Sequence, residues 1–377
     1  MIVLHLSDLH LSRYGETVLW TRRDPDDGRD WTPIHTWQRW QVEGARDKKG
    51  RPQDLRLVDP DGVVHKDRSW PSRKDDDAIS DLLATAMKRH ETSAEKLIAS
   101  PPPEEDLEPL IRLDPSNTNL LFLRLVKRVE AISPDVIFIT GDITDNGFGY
   151  ALVRHYLAPW IERGRLLAVP GNHDTYDMIP RMGRRRRSEI KETSYLQFAR
   201  AINMTPNKAG LYNRLLADLA VVGINSCMMP RVPLSASGEV SAEQLKWIHD
   251  LGKDDAFRSA RMRVALVHHH ILPMPLKLGG RSPIEVGMRL RNGAETLDAL
   301  GEAGFDFIFH GHRHCGYVVK LPGKPMVVSS PSSTLGCETY GKPYFWQLDF
   351  SRQQPFPELV ELDPHGLTSG GVHRPYF

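Results

Sequence analysis

Short uninterrupted apolar runs recur along the chain at residues 2–6, 136–140, 166–169, 219–224, 264–267, 305–309 and 326–329. Runs of that length without polar alternation predict strands buried on both faces. Patterns of helical period separate many of them. In "SNTNLLFLRLVKRVEAI", Leu121, Leu125, Val129 and Ile132 repeat at helical spacing behind Ser116, which is placed to act as the N-cap. In "SAEQLKWIHDL", Ser241 and Gln244 stand at the spacing of a capping box ahead of Leu245, Trp247 and Ile248. Strands alternating with amphipathic helices predict an α/β layered domain.

The texture changes between Ser12 and Thr118. "RRDPDDGRDW", "GARDKKGRPQD" and "SPPPEEDLEP" are charged and rich in turn residues, yet five of the eight tryptophans (Trp20, Trp31, Trp37, Trp40 and Trp70) fall here. A disordered segment has no need of so much aromatic surface. The expectation is therefore an insertion at residues 14–116 with its own small core, interrupting a main domain made of residues 1–13 and 117–377. "DLRLVDPDGVVHK" predicts a hairpin around its Asp-Pro-Asp-Gly turn, and two short helices are expected near residues 77–94.

A polar cluster of one chemical type follows several of the predicted strands. "LHLSDLH" ends in Asp8 and His10, and "VIFITGDITDN" holds Asp142. "LLAVPGNHD" holds Asn172, His173 and Asp174, "VALVHHH" ends in His268, His269 and His270, and "FIFHGHRH" contains His310, His312 and His314. In α/β sheets ligands collect beyond the carboxyl ends of strands, so separate clusters can converge there on one crevice. Carboxylates and imidazoles with an amide oxygen suit Mn, Fe, Zn or Co, and the lack of thiolates argues against a structural zinc site. Six or seven ligands exceed what one ion needs. Two divalent ions bridged by a carboxylate would use them all, as in many phosphoryl ester hydrolases.

The ordered motifs "SDLH", "TGDITDN", "PGNHD", "VHHH" and "HGHRH" resemble those of the calcineurin-like metallophosphoesterases. "SGEVSAEQLKWI", "LVHHHILPMP", "LRNGAETLDAL" and "VVSSPSSTLG" are similar to flanking segments of the bacterial cyclic-nucleotide phosphodiesterase and glycerophosphodiesterase branch. The resemblance implies a four-layer α/β/β/α sandwich of two mixed sheets, with the large insertion after the first strand left unexplained. It implies that Asp8, His10 and His314 hold one ion, that Asn172, His268 and His312 hold the other, and that Asp142 bridges them. His173 would contact the phosphate and protonate the leaving oxygen, with Asp174 orienting it. Manganese is the favoured metal. The implied reaction is hydrolysis of a phosphodiester, of nucleotide or glycerol type, by in-line attack of a metal-bridging hydroxide. A nuclease of the same fold and a non-catalytic scaffold are the alternatives.

Other residues have plainer readings. His5, His310 and Cys315 are expected to pack or support, while His269 and His270 are divided between support and substrate contact. The basic run "RMGRRRR", with Arg181 and Arg184, reads as a solvated loop or an anion contact. A net charge of +1 gives no global reason for nucleic-acid or membrane affinity, so the expected partner is a small phosphoester, with nucleic acid less favoured. No stretch has the length and apolarity of a membrane span. "MIVLHLSDLHLS" lacks a basic n-region and reads as a first buried strand. The three widely spaced cysteines suggest a reducing compartment, so a cytoplasmic location is expected. The oligomeric state has no signal in the sequence.

Overall fold

The computed structural model describes residues 1–16, 21–22, 30–46, 52–60, 62, 64–65, 76–176, 189–216, 218–227, 236–273, 288–335, 342–362 and 372–373. Two six-stranded mixed sheets form the main body. The first runs β17 (Val372–His373), β16 (Glu358–Glu361), β15 (Tyr344–Asp349), β1 (Ile2–Leu6), β7 (Val136–Ile139) and β8 (Leu166–Ala168). The second runs β13 (Tyr317–Lys320), β14 (Met326–Ser329), β12 (Phe307–His310), β11 (Met262–Val267), β10 (Leu219–Ile224) and β9 (Leu211–Leu216). Within them β1, β7 and β8 are parallel, as are β10, β11, β12 and β14. These parallel strands are the ones the continuous apolar runs predict.

Eleven helices complete the described chain: α1 (Asp76–Glu91), α2 (Ala94–Ala99), α3 (Glu104–Leu113), α4 (Thr118–Ile132), α5 (Tyr150–Tyr156), α6 (Ala158–Glu162), α7 (Asn172–Thr175), α8 (Glu189–Ala201), α9 (Ala242–Leu251), α10 (Asp255–Ser259) and α11 (Gly293–Glu302). The main core joins the facing sides of the two sheets to α4, α5 and α8. His5 and Phe138 of the first sheet meet Phe309 of the second, with ring centroids 4.9 Å and 5.6 Å away. A second core lies between the other face of the second sheet and helices α9 and α11, through Ile248, Leu297, Leu300, Ile308 and Val327. The architecture is thus the expected α/β/β/α sandwich. No helix among the described residues is long and apolar enough to cross a membrane.

The caps differ in one place from the sequence reading. Ser241 and Gln244 form the predicted capping box, each accepting from the other's backbone amide. Helix α4, however, is capped by Asn117, whose side chain accepts from Leu120 N, while Ser116 reaches Asp114 instead.

The insertion carries a third sheet, in the order β2 (Thr21–Arg22), β6 (Val64–His65), β5 (Pro52–Val58), β4 (Trp40–Arg46) and β3 (Asp30–Trp37). The predicted hairpin is β5–β6, pairing Leu57 with His65 and Val58 with Val64. Its core holds Tyr14, Trp40, Val42, Leu57, Leu82 and Ala86. Trp20 and Trp70 lie outside the described residues. In place of two short helices near residues 77–94 there is one sixteen-residue helix, α1, which covers this sheet, and α2 begins only at Ala94. Helices α2 and α3 then add Ala94, Leu97, Leu107 and Ile111 to the main core rather than to that of the insertion.

Leu125 is 1% exposed within α4 against the first sheet. Leu125→Ala is expected to lower unfolding stability by about 2–5 kcal/mol, read from urea denaturation, with the metal-ligand motifs untouched.

Candidate metal centre

Each expected ligand sits just past the carboxyl end of a parallel strand: Asp8 and His10 after β1, Asp142 after β7, Asn172 at the start of α7 after β8, His268 after β11, and His312 and His314 after β12. The chain turns sharply at these points. Asp8, His10, Asp142, His312 and His314 all have φ between 48° and 77°, the left-handed region. Such a conformation costs a non-glycine residue about 1–2 kcal/mol. Five instances at one end of the two sheets mark a place where local stability is traded for the direction of side chains.

Three groups of ligand atoms converge there: Asp8 with His10 and His314, His10 with Asp142 and His173, and Asp142 with His268 and His312. Asp142 belongs to two of them, and its Oδ2 lies 3.4 Å from His268 Nε2 and 3.9 Å from His10 Nε2. Asn172 Oδ1 joins at 3.0 Å from His268 Nε2. The backbone helps to hold the carboxylates: His312 N donates to both oxygens of Asp8, and His173 N donates to Asp142 Oδ1.

The donor chemistry fits cations. His268 Nδ1 lies 2.8 Å from the carbonyl of Thr140, which can only accept, so Nδ1 carries a proton and Nε2 is the nitrogen left for a cation. Nε2 lies 3.0 Å from Asn172 Oδ1 and 3.1 Å from His312 Nδ1, so three donor atoms meet where a shared cation would take them all. His10 repeats the pattern. Its Nδ1 donates to Asp145 Oδ1 at 2.8 Å, which turns Nε2 toward His314 Nε2 at 3.0 Å. His312 Nε2 is buried without a hydrogen-bond partner.

The local field agrees. Burial alone would strip protons from His10 and His268, but Asp145 beside the first and Asp142 beside the second more than offset it and raise both to about 9. Burial opposes charge on Asp142 as well, yet His268 and His173 hold it well below the usual carboxylate range. Burial and the neighbouring His269 instead push His312 well down, so it stands as a neutral imidazole. A pocket that favours positive charge at His10 and His268 and keeps His312 neutral is suited to divalent ions, which would take the place of the Nε2 protons.

His173, on α7, has its side chain 17% exposed at the mouth of the centre. The group that fixes it is not Asp174, as the sequence reading had it. His173 Nδ1 pairs with Asp145 Oδ1 at 2.5 Å, the same oxygen that holds His10. Asp174 is fully buried and accepts from the amides of Ile143, Thr144 and Gly171 and from the hydroxyl of Tyr150. Its carboxylate ties the loop after β7 to the loop after β8, and burial, reinforced by Asp142, raises its pKa. It is a brace, out of reach of substrate.

Asp145 escaped the sequence reading although "GDITD" places it one turn beyond Asp142. Two further supports were also missed. Lys191 Nζ donates to the carbonyls of His173 and Tyr176, holding the end of α7. Ser332 and Thr334, in the hydroxyl-rich "SSPSST", donate to the carbonyls of Asp8 and Leu9. His269 is structural, facing Ser226 Oγ and the Ala236 carbonyl. His270 is buried with its ring 6.0 Å from that of His312. His5 meets Thr140 Oγ1 and His310 meets the Tyr317 hydroxyl, both behind the centre. The basic run at residues 181–187 lies outside the described residues.

A profile of the calcineurin-like phosphoesterases matches residues 119–316, more than half of the chain, and the protein belongs to that family. Two divalent ions are what the family implies for these ligand clusters. No curated protein matches the chain. Similar solved structures include a dimetal phosphatase from Danio rerio, at 10% identity over 96% of this chain and 95% of that one, with a TM-score of 0.47. A purple acid phosphatase from yellow lupin is 12% identical over 89% of this chain and 58% of that one, with a TM-score of 0.46. The protein TT1561 of Thermus thermophilus is 13% identical over 64% and 93%, with a TM-score of 0.40.

Gly311 gives a direct test of how tightly the ligands are packed. A methyl group there would run into Ser7 Oγ and the Asp8 carboxylate. Gly311→Ala is expected to lower metal content, measured by elemental analysis, while far-UV circular dichroism stays unchanged.

Proposed function

We propose that the protein hydrolyses a small phosphodiester of nucleotide or glycerol type with two divalent ions, manganese being the preferred metal, in the cytoplasm. The observation that carries the reading is Asp142, whose carboxylate is common to two of the three groups of ligand atoms, one with His10 and the other with His268 and His312. The diester class is supported by the similarity of the flanking segments to the cyclic-nucleotide and glycerophosphodiesterase branch. The compartment is supported by Cys227 and Cys315, which are buried thiols.

When bound, two divalent ions supply Lewis acidity toward the phosphoryl oxygens and ease the deprotonation of water. The protein's own groups supply the rest. His173, held through Nδ1 by Asp145, keeps Nε2 for a substrate oxygen and can give a proton to the leaving group. Asn172 and the amide-anchored carboxylates of Asp8 and Asp142 keep the ligand positions fixed through the reaction.

The insertion is read as a cap on this centre. The chain enters and leaves it beside the metal ligand His10, in the turn after β1: Thr118 Oγ1 donates to the carbonyl of His10, and Asn119 Nδ2 to that of Ser12. A folded element anchored there can limit access and favour small substrates over polymers.

Four outcomes follow from these roles. Chelator-treated protein should lose hydrolysis of an aryl phosphodiester and regain it with Mn, and full activity in metal-free protein would contradict the reaction. Asp142→Asn should cost at least about a hundredfold in activity together with metal. His173→Ala should retain metal while turnover falls about a hundredfold or more, and equal metal loss in both variants would overturn the division of roles. Replacing residues 17–91 with a short Gly/Ser linker, which spares α2 and α3, should keep hydrolysis of a small aryl diester and change the preference among bulkier ones. An unchanged preference, with a fall in mass by light scattering beyond that of the deleted segment, would make the insertion an interface instead.

A further inference from the structure

The loop after β7 carries more than metal ligands. Three residues beyond Asp145 it displays Phe148, whose side chain is 44% exposed. A single exposed aromatic needs no explanation by itself, but this one is held in place with unusual thoroughness. Thr144 Oγ1 accepts from the amides of both Gly147 and Gly149 while donating to the carbonyl of Leu11. Phe148 N donates to Asn146 Oδ1. Gly149 packs so closely on Leu11 that a side chain there would collide with it. The turn is therefore pinned on both flanks, and its apex is a phenyl ring.

Beneath the ring lies a cation. Arg13 Cζ is 4.9 Å from the Phe148 centroid, and Arg13 Nε is 3.1 Å from Glu95 Oε1 at the start of α2. The guanidinium is thus fixed from the other side by α2, a helix of the insertion that packs into the main core. Three chain spans of at most about 3.6 Å separate the Cα atoms of Phe148 and Asp145, and Asp145 is the residue that pairs with both His10 and His173. A rigid ring, cation-backed and this near the metal centre, is placed to meet the organic group of a bound ester.

We infer that Phe148, seated on Arg13, is the platform on which the enzyme stacks the planar ring of its substrate, a nucleobase. The inference rests on the phosphodiesterase reading and narrows it from nucleotide or glycerol esters to nucleoside esters. Arg13 acts as a positioning residue for the platform, and neither group takes part in the chemistry.

The test compares thymidine 5′-(p-nitrophenyl) phosphate with ethyl p-nitrophenyl phosphate, two diesters that share a leaving group and differ in the nucleoside. The Mn-loaded enzyme is expected to favour the thymidine ester in kcat/KM. Phe148→Ala should reduce that preference by about tenfold, the order supplied by one base stacked on an aromatic side chain. The loss should fall in KM, with kcat on the ethyl ester and metal content unchanged, and Phe148→Tyr should restore the preference. An absence of preference in the unmodified enzyme, or an equal effect of Phe148→Ala on both esters, would overturn the inference while leaving the diesterase reading intact. Should neither diester react while monoesters do, the diesterase reading fails. The same ratio, taken then between thymidine 5′-monophosphate and ethyl phosphate, decides the platform by the same two outcomes.

Discussion

Four carboxylates buried at one end of two sheets set the terms for the rest of this molecule. Asp8, Asp142, Asp145 and Asp174 are each no more than 2% exposed. Charges removed from water are tolerated only when paired or hydrogen-bonded, and each of these four is answered differently. Asp174 is satisfied by amides and a hydroxyl, which work against the burial that raises its pKa without cancelling it. Asp145 is shared by two imidazoles. Asp8 takes a backbone amide from the turn after β12 and Asp142 one from the turn after β8, and both still face a cluster of imidazoles turned inward. That last pair is incomplete as protein chemistry alone, and divalent cations complete it.

The fold meets this demand by geometry rather than by sequence proximity. Parallel strands bring their carboxyl ends to one edge in both sheets, and left-handed residues just beyond β1, β7 and β12 redirect side chains into the shared crevice. The strain of five such residues is borne by contacts elsewhere: the Ser332 and Thr334 hydroxyls on the turn after β1, the Asp174 brace between the turns after β7 and β8, and Lys191 at the end of α7. This explains why the motifs are short and stereotyped while their supports are scattered. It also places the rim of the site on the same turns, since Arg13 and Phe148 stand only a few residues beyond His10 and Asp145.

Much of this was legible in the chain itself. Strands buried on both faces show as unbroken apolar runs, and every such run became a strand of the main sheets. The residues that converge on the site were legible because carboxylates and imidazoles directly after such runs have few other uses. The edge strands were not: β9 reads LYNRLL with an irregular burial pattern, and β3 contains Pro33 at the sheet's border. Asp145 and Asp174 show the deeper limit. Both follow a ligand in a polar turn, and only the three-dimensional path of α7 decides that Asp145 reaches His173 while Asp174 points back into the backbone. The reach of the main core into α2 and α3 was hidden for a related reason, because amphipathic helices carry no mark of which hydrophobic layer they join.

The central claim is that Asp142 joins two ions into one centre, and electron paramagnetic resonance of the Mn-loaded protein tests it most directly. Two Mn per chain with the multiline spectrum of an exchange-coupled pair, replaced by isolated ions in Asp142→Asn, is the predicted result. One Mn per chain, or two that are magnetically independent in the unmodified protein, would contradict it.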